Sequence, residues 1–276
     1  MSVSPAPIDS DPGHDLPISP WSRLPRALFA GGLLSIVALF VNAPPDSWLG
    51  KAKWIGYALC HQMPDRSFFA HEHQYPLCAR CTGMYLGFVT GVIFLLLRGR
   101  TKAARLPPQP IIVLLVGFIV IMGIDGVNST ISIIPNAPQL YHTTNLHRII
   151  TGTLYGLALS ALFPPIFNSA IWSEPSGERT IKNWRELGVL LLVAAIEIAI
   201  VLAFTDQMLI PISIITIGGI LLLLSLLNSV IMLSVRKMEN AVSAWRQLAL
   251  PLLFGLALGL IEVTALVAMR VSIGVG

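Results

Sequence analysis

Charge is what this sequence has least of. Only 12% of its 276 residues are Asp, Glu, Lys or Arg, about half the share found in a soluble domain. That excludes an ordinary soluble globular protein, and a mean hydropathy of +0.74 points to a membrane protein. The first 20 residues contain no Lys or Arg and are rich in Pro, Ser and Asp; residues 1–22 read as a disordered tail. Walker loop, HExxH and serine-elbow motifs are all missing, as is any repeat of solenoid period. The net charge is +4 and the pI near 9.1, but the Lys and Arg lie in short segments between apolar runs. That is the positive-inside pattern of a membrane protein, so no nucleic-acid partner is expected.

What is present is apolar runs of spanning length. An α-helix needs about 20 apolar residues to cross a bilayer. Seven segments approach that: 27–43, 82–97, 111–124, 149–167, 187–204, 211–233 and 248–269. The first is short and ends in "VNA", so it also fits a cleaved signal peptide; the polar tail ahead of it favours a retained helix. The expected fold is all-α, a polytopic membrane helical bundle of about seven transmembrane helices. Residues 23–168 would form a Cys/His membrane domain and 169–276 a set of C-terminal membrane helices. With the N terminus inside, twelve Lys and Arg fall on inner segments and six on outer ones. That split predicts a multi-pass plasma-membrane protein with a cytoplasmic N terminus. The segment between the first two spans then lies on the outer face, as does the loop from Asp125 to Arg148.

That outer segment reads "CHQMPDRSFFAHEHQYPLCARCTG" and holds all three cysteines of the chain. Cys78 and Cys81 form a C-x-x-C, and Cys60 precedes it beside His61. Three chemistries compete. Thiolates grouped with an imidazole suit zinc, which takes four S or N ligands in a tetrahedron. His61 is the nearest histidine in sequence, but neighbouring side chains diverge, so His71, His73 or His142 are alternatives. A C-x-x-C on an outer face also suits thiol–disulfide exchange, with Cys60 resolving the pair. The third reading is one structural disulfide and a spare thiol. "HEH" at 71–73 reads as solvated surface, and Asp65 with Arg66 as a turn and an ion pair.

"CHQMPDRSFF", "YPLCARCTGMYLGF", the Asp125–Gly126 pair and "TNLHRIITG" at 144–152 together resemble the uncharacterised membrane-protein family named domain of unknown function 2085. The resemblance covers roughly residues 48–168 and supplies no settled activity. It implies that Cys60, His61, Cys78 and Cys81 act as one set, which favours His61 as the fourth ligand. It also implies a second polar set of Asp125, Asn145 and Arg148 near the same face.

Two carboxylates lie within spans. Glu197 falls near mid-bilayer and Glu262 in the outer half, judged by ~1.5 Å of rise per residue. Ionisable groups there are costly and often functional. An outward cavity gathering Asp125, Arg148, Glu197 and Glu262 is one reading; a structural ion pair or a protonated Glu is the simpler one. The glycines of "TGTLYGLALS" and "GLALGLIEV" suit close helix packing. Pro164, Pro165 and Pro211 mark helix ends or kinks.

The leading expectation is a non-enzymatic membrane protein. Its outer-face site of three cysteines and one histidine would hold zinc, with iron as the alternative, and support a ligand site or a membrane-protein partner. A thiol oxidoreductase and a transporter using the intramembrane carboxylates are the alternatives.

Overall fold

The structure, a computed structural model, describes residues 23–135 and 137–274, with side chains from residue 27 onward. The tail predicted over 1–22 lies outside the described residues. Eight helices occur among them: α1 (Arg23–Asn42), α2 (Trp48–Leu59), α3 (Ala79–Leu97), α4 (Gln109–Ile131), α5 (Asn145–Ile171), α6 (Trp184–Ala203), α7 (Thr205–Val235) and α8 (Trp245–Ser272). The helices from α3 to α8 are long and apolar enough to cross a membrane. The apolar part of α1, Ala27–Asn42, is shorter. The protein is an all-α membrane bundle, as its hydropathy predicts. Two short sheets accompany it: a hairpin of β1 (Ser67–Ala70) with β2 (His73–Cys78), and a parallel pair of β3 (Ala103–Arg105) with β4 (Ser176–Arg179).

The centre of the bundle is α3 against α5, and glycine explains the closeness. A Cβ on Gly152 would stand 2.1 Å from the Arg80 carbonyl oxygen, and one on Gly83 would stand 2.3 Å from that of Ile149. The two backbones therefore touch, as small residues four apart allow in membrane helices. Gly255 of α8 meets α7 in the same way, 2.1 Å from the Ser225 carbonyl. α4 packs through Ile111, Leu115 and Phe118 against Leu157, Ala158 and Ala161 of α5. Its other face is exposed, with Val113 at 70% and Val127 at 62%.

The segments sort to two ends. At one lie α2, the β1–β2 hairpin, the 132–144 connection and the α6–α7 junction. Asn145 Nδ2 donates to the Ser67 carbonyl at 3.1 Å, Arg66 Nη2 to Ser132 Oγ at 3.3 Å and Tyr75 Oη to the Thr205 carbonyl at 2.6 Å. The shared side expected for the cysteine segment and the Asp125–Arg148 loop is thus present. At the other end, the β3–β4 pair covers a buried ion pair. Arg100 donates from both Nη atoms to the two Glu186 oxygens at 2.7 Å.

The structure refines the sequence reading at three places. Residues 48–59 form a helix of their own, because Ser47 caps it and Ala52, Ile55, Gly56 and Ala58 form a buried face. Asp125 does not end α4; it is fully buried and the helix runs on to Ile131. Pro164, Pro165 and Pro211 all lie inside helices, where neighbouring elements can satisfy the freed carbonyls.

Candidate functional site

Each cysteine sits at a helix end. α2 stops at Cys60 because the chain turns extended there and Gln62 adopts a positive φ of 50° just before Pro64. Gln62 then staples the turn. Its Nε2 donates to the carbonyls of Lys53 (2.7 Å) and Pro76 (2.6 Å), and its own carbonyl accepts from Gln74 Nε2 at 2.6 Å. This needs β2 to press on α2, and Gly56 permits it: a Cβ there would lie 2.2 Å from the Pro76 carbonyl. Arg270, in the last turn of α8, donates to the Cys60 carbonyl at 2.8 Å and to that of Tyr57. It thereby neutralises the exposed carbonyl end of α2.

Cys78 is the N-cap of α3, and Cys81 is in that helix's first turn. The Cys78 side chain makes no capping bond to the backbone, which leaves its sulfur for the cluster. The three Sγ atoms all lie within 4.8 Å of one another, and the three thiols are free. Sulfurs sharing one tetrahedral zinc stand about 3.8 Å apart, from a Zn–S bond of ~2.3 Å. Cys60 Sγ accepts backbone N–H bonds from Cys78 at 3.2 Å and Gln62 at 3.4 Å. The partial positive charge at the α3 N-terminus also favours thiolate there. Cys78 is held far below the usual thiol range, first by hydrogen bonds from Cys60 and Cys81, with the Arg80 charge adding. Cys60 is pushed up to about 11, chiefly by its hydrogen bond with Cys78.

Among the described residues, the sulfur group contains no histidine. His61 is exposed, because the extended backbone at Cys60 turns successive side chains apart. It does line the same cavity as the three cysteines. This space of about 590 Å³ lies between the cysteine loop and α4, and Arg66 and Arg80 also face it.

Behind the cluster, Arg80 leaves the C-x-x-C for Asp125. Arg80 Nε donates to Asp125 Oδ2 at 3.0 Å, Nη2 reaches the same oxygen, and Nη2 donates to the Asp125 carbonyl at 3.1 Å. Tyr141 Oη donates to Oδ1 at 2.7 Å and Thr151 Oγ1 to Oδ2 at 3.3 Å. Burial, and then the bond to Asp125, push the Tyr141 phenol up to about 12. Arg148 is also buried but meets neutral groups: Nη1 donates to Asn145 Oδ1 at 2.9 Å, and Nη2 to Ser129 Oγ at 3.3 Å.

The expected residues therefore fall into separate groups. Cys60, Cys78 and Cys81 converge, and Asp125, Asn145 and Arg148 lie just behind them. Glu197 and Glu262 do not join either set. Glu197 accepts from Thr90 Oγ1 at 2.7 and 2.9 Å, and Glu262 accepts from Asn228 Nδ2 at 3.0 Å. Three residues outside the predicted set belong to the site's frame: Gln62, Arg80 and Arg270. The first two lie inside the quoted motifs, which was the available signal. Arg270, 210 residues from Cys60, gave none.

Residues 60–162 match the family described as "Predicted membrane protein (DUF2085)", which bears out the resemblance for that segment. An uncharacterised protein of Methanocaldococcus jannaschii is 29% identical over 153 residues, 51% of this chain and 91% of that protein. An uncharacterised protein of Methanothermobacter thermautotrophicus is 44% identical over 36 residues, 13% of this chain and 32% of that protein. No solved structure matches the chain. The matched family segment holds the cysteine cluster and the Arg80–Asp125 pair; Glu197 and Glu262 lie beyond it.

Proposed function

We propose that this membrane protein holds a thiophilic metal ion, zinc before iron, on Cys60, Cys78 and Cys81. The ion ties the end of α2, the hairpin and the start of α3 into one platform, and that platform supports a ligand or partner site. The observation that carries this reading is the convergence of three free sulfurs with backbone N–H donors aimed at Cys60 Sγ. Soft thiolates held by such donors suit zinc or iron and not a hard cation. The fourth position falls to His61 or to a group that enters the adjoining cavity, since both adjoin the sulfurs. The ion's role is structural, and we read the protein as non-enzymatic.

In our reading the cysteine end faces outward and the Arg100–Glu186 end the cytoplasm, which the charge split supports. Free thiols on an oxidising face tend to pair, and a bound metal would protect them. The carboxylates of the transporter reading end on neutral partners in separate helix pairs, so no observation favours it.

Thiol labelling tests the proposal against the redox alternative. Thiols that resist alkylation in the native protein and react after a chelator is added are expected. Thiols that react only after a reductant would reject the metal and favour the disulfide chemistry of Cys78 and Cys81.

A further inference from the structure

We infer that the cavity beside the cysteine cluster binds an anionic membrane lipid, with its phosphate at Arg66 and its apolar part along α4. The cavity has two unlike walls. On one, Gly123, Val127 and Thr130 recur at helical spacing along the exposed face of α4, a run of about 10 Å at ~1.5 Å per residue. This wall continues directly into the lipid-facing surface of a membrane span. The other wall carries His61, Arg66 and Arg80. The two arginines stand near the ends of α3 and α4, at the level where lipid phosphates lie.

The guanidiniums here are unequally satisfied. Arg80 is committed to Asp125. The Arg66 side chain is 12% exposed, and its Nε is the one buried side-chain donor among the described residues with no hydrogen-bond partner. Asp65 forms the expected ion pair with that nitrogen at 3.5 Å, beyond hydrogen-bond contact, and is itself 66% exposed, so the pair is a weak one. Arg66 Nη2 reaches Ser132 Oγ, Ser132 Oγ donates to the Ser129 carbonyl, and Arg148 bonds Ser129 Oγ. Arg66, paired only with an exposed Asp65, and Arg148, bonded to neutral groups, thus share one short network. The Arg66 side chain lines the cavity, and a phosphate, which guanidinium binds through charge-assisted hydrogen bonds, competes well with an exposed carboxylate for it. The 590 Å³ volume suits a headgroup and its glycerol, with the acyl chains outside along α4.

The glycines supply the test. A Cβ on Gly123 meets no atom within 4 Å, and one on Gly126 meets only Arg80 Nη1 at 4.0 Å. Leucine at both positions would extend into the cavity from a Cβ that meets no packed atom closer than 4.0 Å. The proposal does not depend on the metal, so metal content is read in parallel.

The experiment is native mass spectrometry of the delipidated full chain in neutral detergent. Phosphatidylglycerol and phosphatidylcholine of matched chains are added, with inorganic phosphate as competitor. Phosphatidylglycerol should be retained over phosphatidylcholine by about tenfold, because both offer a phosphate but choline brings its own cation beside Arg66. Arg66→Gln should erase that preference. The Gly123→Leu/Gly126→Leu variant should lose the bound lipid and keep its metal and its melting temperature. Equal retention of the two lipids, or phosphatidylglycerol still held by the glycine variant, would overturn the inference. Displacement by inorganic phosphate alone would overturn it in favour of a free anion.

Discussion

At the scale of single residues, the cysteine cluster depends on side chains that touch no sulfur. Gln62 joins α2, the hairpin and the Cys60 turn through three hydrogen bonds. Partners that orient metal ligands typically contribute about 10–100-fold to affinity. Gln62→Ala should therefore weaken zinc retention by about that factor in a competition with a chelator, and unchanged retention would remove it from the site. Asp125 is the counter-charge of Arg80. Removing one member of a buried pair costs about 3–5 kcal/mol because it strands the other. Asp125→Asn should lose roughly 3 kcal/mol of stability in a denaturant titration in detergent. Asp125→Asn with Arg80→Gln should lose less than the two singles summed; strict additivity would mean the two side chains act apart.

At the scale of elements, the α3–α5 contact is the most exacting. Gly152→Ala puts a methyl 2.1 Å from the Arg80 carbonyl, so the helices must part and the Cys81 end of α3 shifts with them. A loss of about 3 kcal/mol or more is expected, typical of overpacking in a tight core. Gly117→Ala, on α4 with no atom within 4 Å of the new methyl, should be neutral or stabilising by about 0.5–1 kcal/mol. Melting temperatures of the two variants side by side check both. Much at this scale was legible in the sequence. Apolar runs marked the six long spans and the short α1, because hydropathy is a local property. The glycine pairs suggested close packing for the same reason. α2 was not legible: with two lysines in twelve residues and too little length to cross a membrane, it has no hydropathy signature. Asp125 resembled a helix end, since charge usually leaves the bilayer; only its partner Arg80, 45 residues away, lets α4 continue past it. The partners of Glu197 and Glu262 were hidden because which spans lie side by side is not written in any one of them.

At the scale of the whole molecule, one end is a cysteine platform and the other a charged base held by Arg100 and Glu186. The cysteine set was readable from residue type and spacing, but its open side was not. A cavity exists only once α4 is placed beside the loop. The three cysteines belong to the matched family segment, yet α2 precedes it and Arg270 of α8 holds the Cys60 carbonyl from outside it. The C-terminal helices therefore buttress the site. For orientation, an impermeant maleimide applied to intact cells after a chelator should label the cysteines, and labelling only after permeabilisation would invert the topology.

A bound metal is what separates a structural cysteine platform from a redox-active thiol pair. The most direct measurement is elemental analysis of the purified full-length protein beside its Cys78→Ser variant. About one zinc or iron per chain, lost in the variant while the helical content stays, is the predicted result. A metal-free wild type with Cys78 and Cys81 joined in a disulfide would contradict it.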